Sequence, residues 1–295
     1  MANEIRNLTV VGSGAMGSQI AMVCALAGLT VHLVDVDEAA LERAEGNLSG
    51  LMKKRIEKGR LTEAAVQGAF SRLTFTPDLA KTVSGTDFVI EAIVEKLDAK
   101  QDLFRKLDSL TPAHTILATN SSTIVSSKLA EVTNRPDKVC NMHFFNPALV
   151  MQLVEVVRNP ETSQATVDTT VDLVRTLGKT PVVLNKEISG FLANRILGKV
   201  MDEAIDLYEA GIASPEEIDL AVTKGLNHPI GPFALMDLTG IDVNYYVRLE
   251  RYNETGDERD KPRKSIVEKF EKGELGRKTG KGWYEYEAGG EKRGL

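Results

Sequence analysis

With 295 residues and 42% hydrophobic side chains, the chain can build one large core or two ordinary ones. Its net charge of −6 argues against nucleic acid as a partner, and no apolar run approaches membrane-spanning length. The two cysteines, Cys24 and Cys140, lie inside apolar runs and read as buried free thiols; with no zinc or disulfide spacing, no metal site is expected.

Met1-Ala2-Asn3-Glu4 carries no signal or transit pattern, so a soluble protein of a reducing compartment, the cytoplasm, is expected. Ile5 to Val11 reads as a buried strand that runs into Gly12-Ser13-Gly14-Ala15-Met16-Gly17. An apolar helix follows to Ala27, and a second strand, Thr30 to Val34, ends in Asp35. Strand before, helix after and an acid eighteen residues past the last glycine (35 − 17 = 18) are what a dinucleotide site requires. Gly12 allows the tight turn, Gly14 lets the backbone approach a pyrophosphate, and Gly17 permits close packing of helix on strand. Asp35 suits ribose hydroxyls and repels a 2′-phosphate by up to ~4 kcal/mol at roughly 4 Å and an effective dielectric near 20. Asp37 adds a second acid, and no Arg lies between Asp35 and Leu41. NAD is favoured over NADP.

Asp37 can cap a long helix with Leu41, Ala44 and Leu48 on one face. Its end, from Lys53 to Arg60, is basic, which fits either a solvated helix face or a site for a phosphorylated substrate. Strands from Leu73 to Thr76 and Asp87 to Ile93 and a helix from Leu97 to Leu110 follow. Glu91, Glu95 and Lys100 cluster after the Asp87 strand, at the end where open α/β sheets bind ligands or simply as surface charge.

The stretch from Thr119 to Glu155 concentrates the chemistry. A polar cluster, Thr119-Asn120-Ser121-Ser122-Thr123, follows one apolar run; His143, one of four histidines, lies just past the run Lys138 to Met142. Glu155 stands alone among Leu and Val, and a buried carboxylate is costly unless a donor compensates it. His143 is the natural candidate. Beyond it, a helix within Glu161 to Gly178 and a last strand, Thr180 to Leu184, close the alternating pattern. Helices then take over: Phe191 to Glu209, one opened by the capping box Ser214-Pro215-Glu216-Glu217, Pro232 to Thr239, and Lys264 to Phe270. Arg251 to Lys264 reads as a solvated loop, and the tail from Ala288 as fraying. The expected fold class is α/β: a Rossmann-type, mostly parallel sheet domain over residues 1–186, followed by an all-helical domain over 187–295. Asn194 and Arg195 sit near that boundary, as cleft residues or as caps.

A dinucleotide site with a histidine backed by a carboxylate points to hydride transfer between alcohol and carbonyl. The chain also resembles the short-chain (S)-3-hydroxyacyl-CoA dehydrogenases, most of all the bacterial 3-hydroxybutyryl-CoA dehydrogenases. The resemblance spans Val10 to Gly17, Ile90 to Glu95, Met142 to Pro147, Leu153 to Val157, Gly190 to Arg195, Gly231 to Phe233, and Lys278-Thr279-Gly280-Lys281-Gly282-Trp283-Tyr284. It implies that His143 is the base toward the 3-hydroxyl, that Glu155 pairs with it, and that Ser122 and Asn194 hydrogen-bond the substrate oxygen. It further implies that Asp35, Glu95, Lys100, Asn120, Ser122 and Asn146 line NAD, with Lys58 the best match for a CoA phosphate contact. Acyl-CoA (acetoacetyl-CoA or 3-hydroxybutyryl-CoA) is the implied substrate and a homodimer through the helical domain the implied assembly. Two departures stand out: Thr123 replaces the second serine of the family's pair, and Glu187-Ile188-Ser189 lacks the proline usual before Gly190-Phe191. The alternatives are a gulonate-type sugar-acid dehydrogenase, whose relatives usually lack Phe144-Phe145, and a non-catalytic, crystallin-like cofactor-binding protein.

Overall fold

The computed structural model describes residues 5–287; the tail from Ala288, expected to fray, lies outside them. The chain forms two compact units, Met1–Leu192 and Ala193–Leu295.

The first unit alternates β1 (Asn7–Val11), α1 (Ala15–Leu26), β2 (Thr30–Val34), α2 (Glu38–Glu57), α3 (Glu63–Phe70), β3 (Leu73–Thr76), α4 (Leu79–Val83), β4 (Phe88–Glu91), α5 (Leu97–Leu110), β5 (Ile116–Thr119), α6 (Ser127–Ala130), β6 (Val139–Phe144), β7 (Leu153–Arg158), α7 (Gln164–Thr176) and β8 (Thr180–Leu184). They form one eight-stranded sheet in the order β3-β2-β1-β4-β5-β6-β7-β8. Every pairing is parallel except β6 with β7. Strands buried on both faces are mostly apolar, as β1 is with Leu8, Val10 and Val11 around the buried Thr9. α1 is buried along most of its length, which explains why it is apolar nearly all round. α2 is amphipathic: Asp37 caps it by accepting from Ala39 N–H, and Leu41, Ala44, Leu48 and Met52 form its inner stripe.

The antiparallel β6–β7 pair has the consequence that matters most. In its register His143 stands directly opposite Glu155, so their side chains leave the same face of the sheet at the spacing of a cross-strand pair. The expected boundary after residue 186 falls within the first unit's last segment, which is tied to that unit at both ends. Ser127 N–H donates to Glu187 at 3.1 Å, and Leu192 N–H donates to Glu155 Oε1 at 3.0 Å.

The second unit contains α8 (Ala193–Glu209), α9 (Pro215–Leu220), α10 (Pro232–Thr239), α11 (Ile241–Thr255) and α12 (Lys264–Glu271). The Ser214–Glu217 capping box is formed, with Pro215 in the first turn of α9. Two expectations need correcting. α8 begins at Ala193 rather than Phe191, which takes φ +48 and lies outside any helix. Arg251 to Thr255 is no loop but the end of α11, and Arg251 pairs with the buried Asp260 at 2.9 Å. The core here joins Met201, Ile205, Phe233, Met236 and Ile266 to the aromatics of the closing segment, Trp283, Tyr284 and Tyr286.

Candidate active site

At the carboxyl end of β1 the chain turns through Gly12 at φ +105, a conformation that disfavours any residue with a Cβ. A Cβ on Gly12 would stand 2.5 Å from the Ala92 carbonyl oxygen, and one on Gly17 would stand 1.9 Å from the Gly12 carbonyl oxygen. The turn, the first turn of α1 and the end of β4 are therefore pressed together. Gly14 has open space where its Cβ would point. It caps α1 with no side-chain hydrogen bond among the described residues, which leaves the first-turn N–H groups without a capping side chain. Gly12, Ser13, Gly14 and Ala15 share with Asp35 the wall of a cavity of about 1020 Å³. Met16 turns instead toward the core.

Asp35 is held in place before any ligand arrives. Its Oδ2 accepts Ser13 N–H at 2.7 Å and Ser13 Oγ–H at 2.8 Å, and its Oδ1 accepts Asp37 N–H at 3.1 Å. Partial burial raises its pKa, but these donors outweigh it and hold the carboxyl below its ordinary range. An ionised acid at the end of β2, an open backbone at Gly14 and free helix N–H groups together fit a dinucleotide with an unmodified ribose.

Further along the same edge of the sheet, Glu91 and Lys100 form a buried ion pair at 2.5 Å, and Lys100 also reaches Glu95 at 3.2 Å. Thr119 Oγ–H and Ile93 N–H donate to Glu91 at 2.6 and 2.7 Å. Glu95 organises the loop after β5: it accepts from Ser121 Oγ–H, from Thr123 Oγ–H at 2.8 Å and from Thr123 N–H at 3.2 Å. Burial pushes the Glu95 carboxyl up, while the Ser121 hydroxyl, the Lys100 charge and Thr123 pull it below its usual range on balance. Thr123, where the resemblance expects serine, is accommodated in this way. Asn120 accepts Phe144 N–H at 2.9 Å and ties the ends of β5 and β6 together.

That loop presents Ser122 to His143. Glu155 Oε2 lies 2.9 Å from His143 Nδ1, and Ser122 Oγ lies 3.0 Å from Nε2. His143 and Glu155 are buried while Ser122 is exposed, so Nε2 is approached from the serine side. With Nδ1–H donated to the carboxylate, Nε2 carries the lone pair, the tautomer a base requires. Phe145 meets the imidazole edge-on at 4.6 Å between centroids, and buried Phe191 lies tilted at 5.2 Å.

The expected residues divide between these clusters. Lys100, Glu95, Asn120 and Ser122 belong to the ion-pair and histidine groups and do not line the glycine-turn cavity. Asn146 is exposed beyond the end of β6, and Lys58 is exposed at the C-cap of α2. Asn194 is exposed at the start of α8, in the second unit. Arg43, Gln19 and the Leu192 amide went unforeseen. Arg43 was legible, since Ala40, Arg43, Ala44, Asn47 and Leu51 line the cavity at helical spacing; the Leu192 amide has no sequence signal.

Fold and site together define a dinucleotide-dependent dehydrogenase with a carboxylate-backed histidine. Family models narrow this: residues 7–188 match the 3-hydroxyacyl-CoA dehydrogenase, NAD binding domain, and residues 190–286 match the 3-hydroxyacyl-CoA dehydrogenase, C-terminal domain. The chain belongs to the 3-hydroxyacyl-CoA dehydrogenase family, and its first unit is that family's NAD-binding domain. It is 39% identical over 284 residues to the probable 3-hydroxybutyryl-CoA dehydrogenase of Bacillus subtilis, covering 96% of this chain and 98% of the relative. It is 40% identical over 289 residues to the mitochondrial hydroxyacyl-coenzyme A dehydrogenase of Rattus norvegicus, covering 96% and 91%. Among solved structures, the (S)-3-hydroxybutyryl-CoA dehydrogenase of Ralstonia eutropha superposes with a TM-score of 0.90 at 40% identity, covering 96% of this chain and all of that one.

Proposed function

We propose that the chain catalyses the reversible NAD-dependent oxidation of a short-chain (S)-3-hydroxyacyl-CoA, 3-hydroxybutyryl-CoA in the first instance, to the 3-oxoacyl-CoA. The observation that carries this reading is the chain of contacts Ser122–His143–Glu155 on the dinucleotide edge of the sheet. NAD held along the Gly12–Ala15 turn and Asp35 would supply the hydride acceptor for the carbinol carbon. His143 Nε2 takes the hydroxyl proton, Glu155 stabilises the imidazolium that results, and Ser122 Oγ–H turns from Nε2 to the substrate oxygen. In the reverse direction the imidazolium returns the proton to the developing alkoxide. Lys58 meets the CoA phosphate region in this reading. Phe145, at the edge of the imidazole, supports an acyl thioester over a sugar acid, because an apolar wall suits an acyl chain.

The helical unit serves as a dimer interface in the same reading. Val243, Tyr246 and Val247 form an exposed apolar stripe at helical spacing on α11. Among the described residues no helix is long and apolar enough to cross a membrane. Cys24 and Cys140 are free and buried, with burial pushing each thiol up to about 12, so neither is a ready nucleophile. The two free, buried thiols are in keeping with the cytoplasmic site of action this reading expects.

The test is loss of the NADH absorbance band with acetoacetyl-CoA. Oxidation of NADH is expected. NADH binding with no turnover on acetoacetyl-CoA, or turnover confined to a sugar acid, would overturn the proposal.

A further inference from the structure

The cavity beside the glycine turn holds a cation, Arg43, that already has a carboxylate partner within the chain. Arg43 lines the cavity from α2 and reaches back to the start of its own helix, where Nη2 donates to Asp37 Oδ2 at 3.2 Å. The other oxygen of Asp37 accepts Ala39 N–H at 2.9 Å. Asp35 stands two residues earlier, its Oδ1 bonded to the Asp37 amide. The cavity lining thus brings together an acid that repels phosphate and a guanidinium suited to bind it, and a second acid, Asp37, holds that guanidinium from outside the lining. Guanidinium binds phosphate through paired N–H donors. A carboxylate already on those donors both cancels the charge and competes for the hydrogen bonds. Arg43 and Asp37 are exposed, 66% and 55% by side chain, so their ion pair adds little to stability and can be removed without unfolding α2.

We infer that Asp37 is a specificity-determining residue: by engaging Arg43 it withholds the one wall cation closest to Asp35 in sequence from dinucleotides that carry a 2′-phosphate. Asp35 supplies one part of the discrimination by repulsion; Asp37 supplies another by neutralisation. Arg43 is then a latent phosphate ligand. The inference rests on the proposal that this cavity takes NAD.

Asp37→Ser tests it, because serine keeps an N-cap acceptor while losing the charge. The probe is 2′,5′-ADP, which carries the phosphate and needs no turnover, titrated calorimetrically beside NADH. Asp37→Ser is expected to bind 2′,5′-ADP roughly tenfold more tightly than the parent, the size of one freed charge contact near the surface. Adding Arg43→Ala should abolish the gain, and the ratio of kcat/KM for NADPH over NADH should rise with Asp37→Ser and fall back in the double variant. No gain in 2′,5′-ADP affinity while NADH still binds, or a gain that survives Arg43→Ala, would overturn the role of Asp37 and leave the NAD reading standing. A parent that binds no NADH would strike the NAD reading instead, and the 2′,5′-ADP series would still decide the role of Asp37.

Discussion

Glu155 in the sheet unit and Asp237 in the helical unit are both almost completely buried carboxylates, yet the groups that face them differ in kind. Asp237 accepts the Trp283 and Tyr284 amides at 2.8 and 2.9 Å and the Tyr286 hydroxyl at 2.9 Å. Its neighbour Asp219 does the same for Phe233, Ala234 and the Tyr284 hydroxyl. None of these donors loses its proton near neutral pH, and burial pushes both phenols further up. Together they pin an irregular closing segment onto α10, so tightly that a Cβ on Gly282 would stand 2.1 Å from Asp237 Oδ1. That contact explains the second glycine of the Lys278-Thr279-Gly280-Lys281-Gly282-Trp283-Tyr284 motif. Glu155 faces an imidazole, the side chain whose charge changes most readily in this pH range. A buried acid surrounded by fixed donors is a structural clamp; one facing a group that gains and loses a proton can take part in chemistry.

The sharpest way to break that contrast is His143→Gln. Removing the base should lower kcat by about 10³-fold, within the usual range for a general base, while NADH affinity, read by fluorescence titration, holds. Normal turnover would make Glu155 a clamp like Asp237. Glu155→Gln should come next, at about 10²-fold in kcat with the fold retained. The Gln oxygen can still accept the Leu192 amide, but its NH₂ would face Nδ1 and favour the tautomer with hydrogen on Nε2, which cannot act as a base. Steady-state kinetics with acetoacetyl-CoA check both.

Asp237→Asn should do the reverse: little change in turnover per folded molecule but a loss of about 2–4 kcal/mol in stability, measured by urea unfolding, because an amide nitrogen would face donors. Burial raises the Asp237 carboxyl above its ordinary 3.8, with the Trp283 and Tyr284 amides, Tyr286 and Lys269 opposing but not cancelling it. The folded state therefore holds this proton more readily than the unfolded chain. The contribution of Asp237 is fully present below the ordinary value and is lost as pH rises through the raised folded one. The stability gap between parent and variant should accordingly narrow as pH rises through that window; a gap that widens there would contradict the assigned burial.

Where the sequence carried local signals, the structure was legible in advance. Strand, glycine turn, helix and acid form one contiguous pattern, and the turn, α1 and β2 fall where it put them. The solitary acid in β7 announced a need for a donor, because such a charge is too costly to leave alone. Its pairing with His143 is fixed by the antiparallel register of β6 and β7, a property of the whole sheet that no single stretch displays. α11 was missed for a local reason: it starts directly after Gly240, at φ +106, with no side-chain cap among the described residues, and its charged end resembles a loop. The i, i+4 row of Leu192, Ile196, Val200 and Ala204 extends the helical reading back to Phe191. The positive φ of Phe191 carries the Leu192 amide to Glu155, a demand set by a strand far away in sequence.

Ser122→Ala has the smallest expected effect and refines the contrast most. Ser122 touches Nε2 but does not hold its loop; Ser121 and Thr123 do that through Glu95. The fold should therefore be indifferent to the change, and thermal unfolding should not shift. What is lost is one hydrogen bond to an oxygen that becomes more negative as the carbonyl is reduced, about 1.4 kcal/mol, or tenfold in kcat/KM. The loss should fall mainly on kcat, because the hydrogen bond strengthens as the oxygen charge develops. A change confined to KM would assign Ser122 to ground-state binding and leave His143 and Glu155 as the only groups of this cluster that act in the proton transfer.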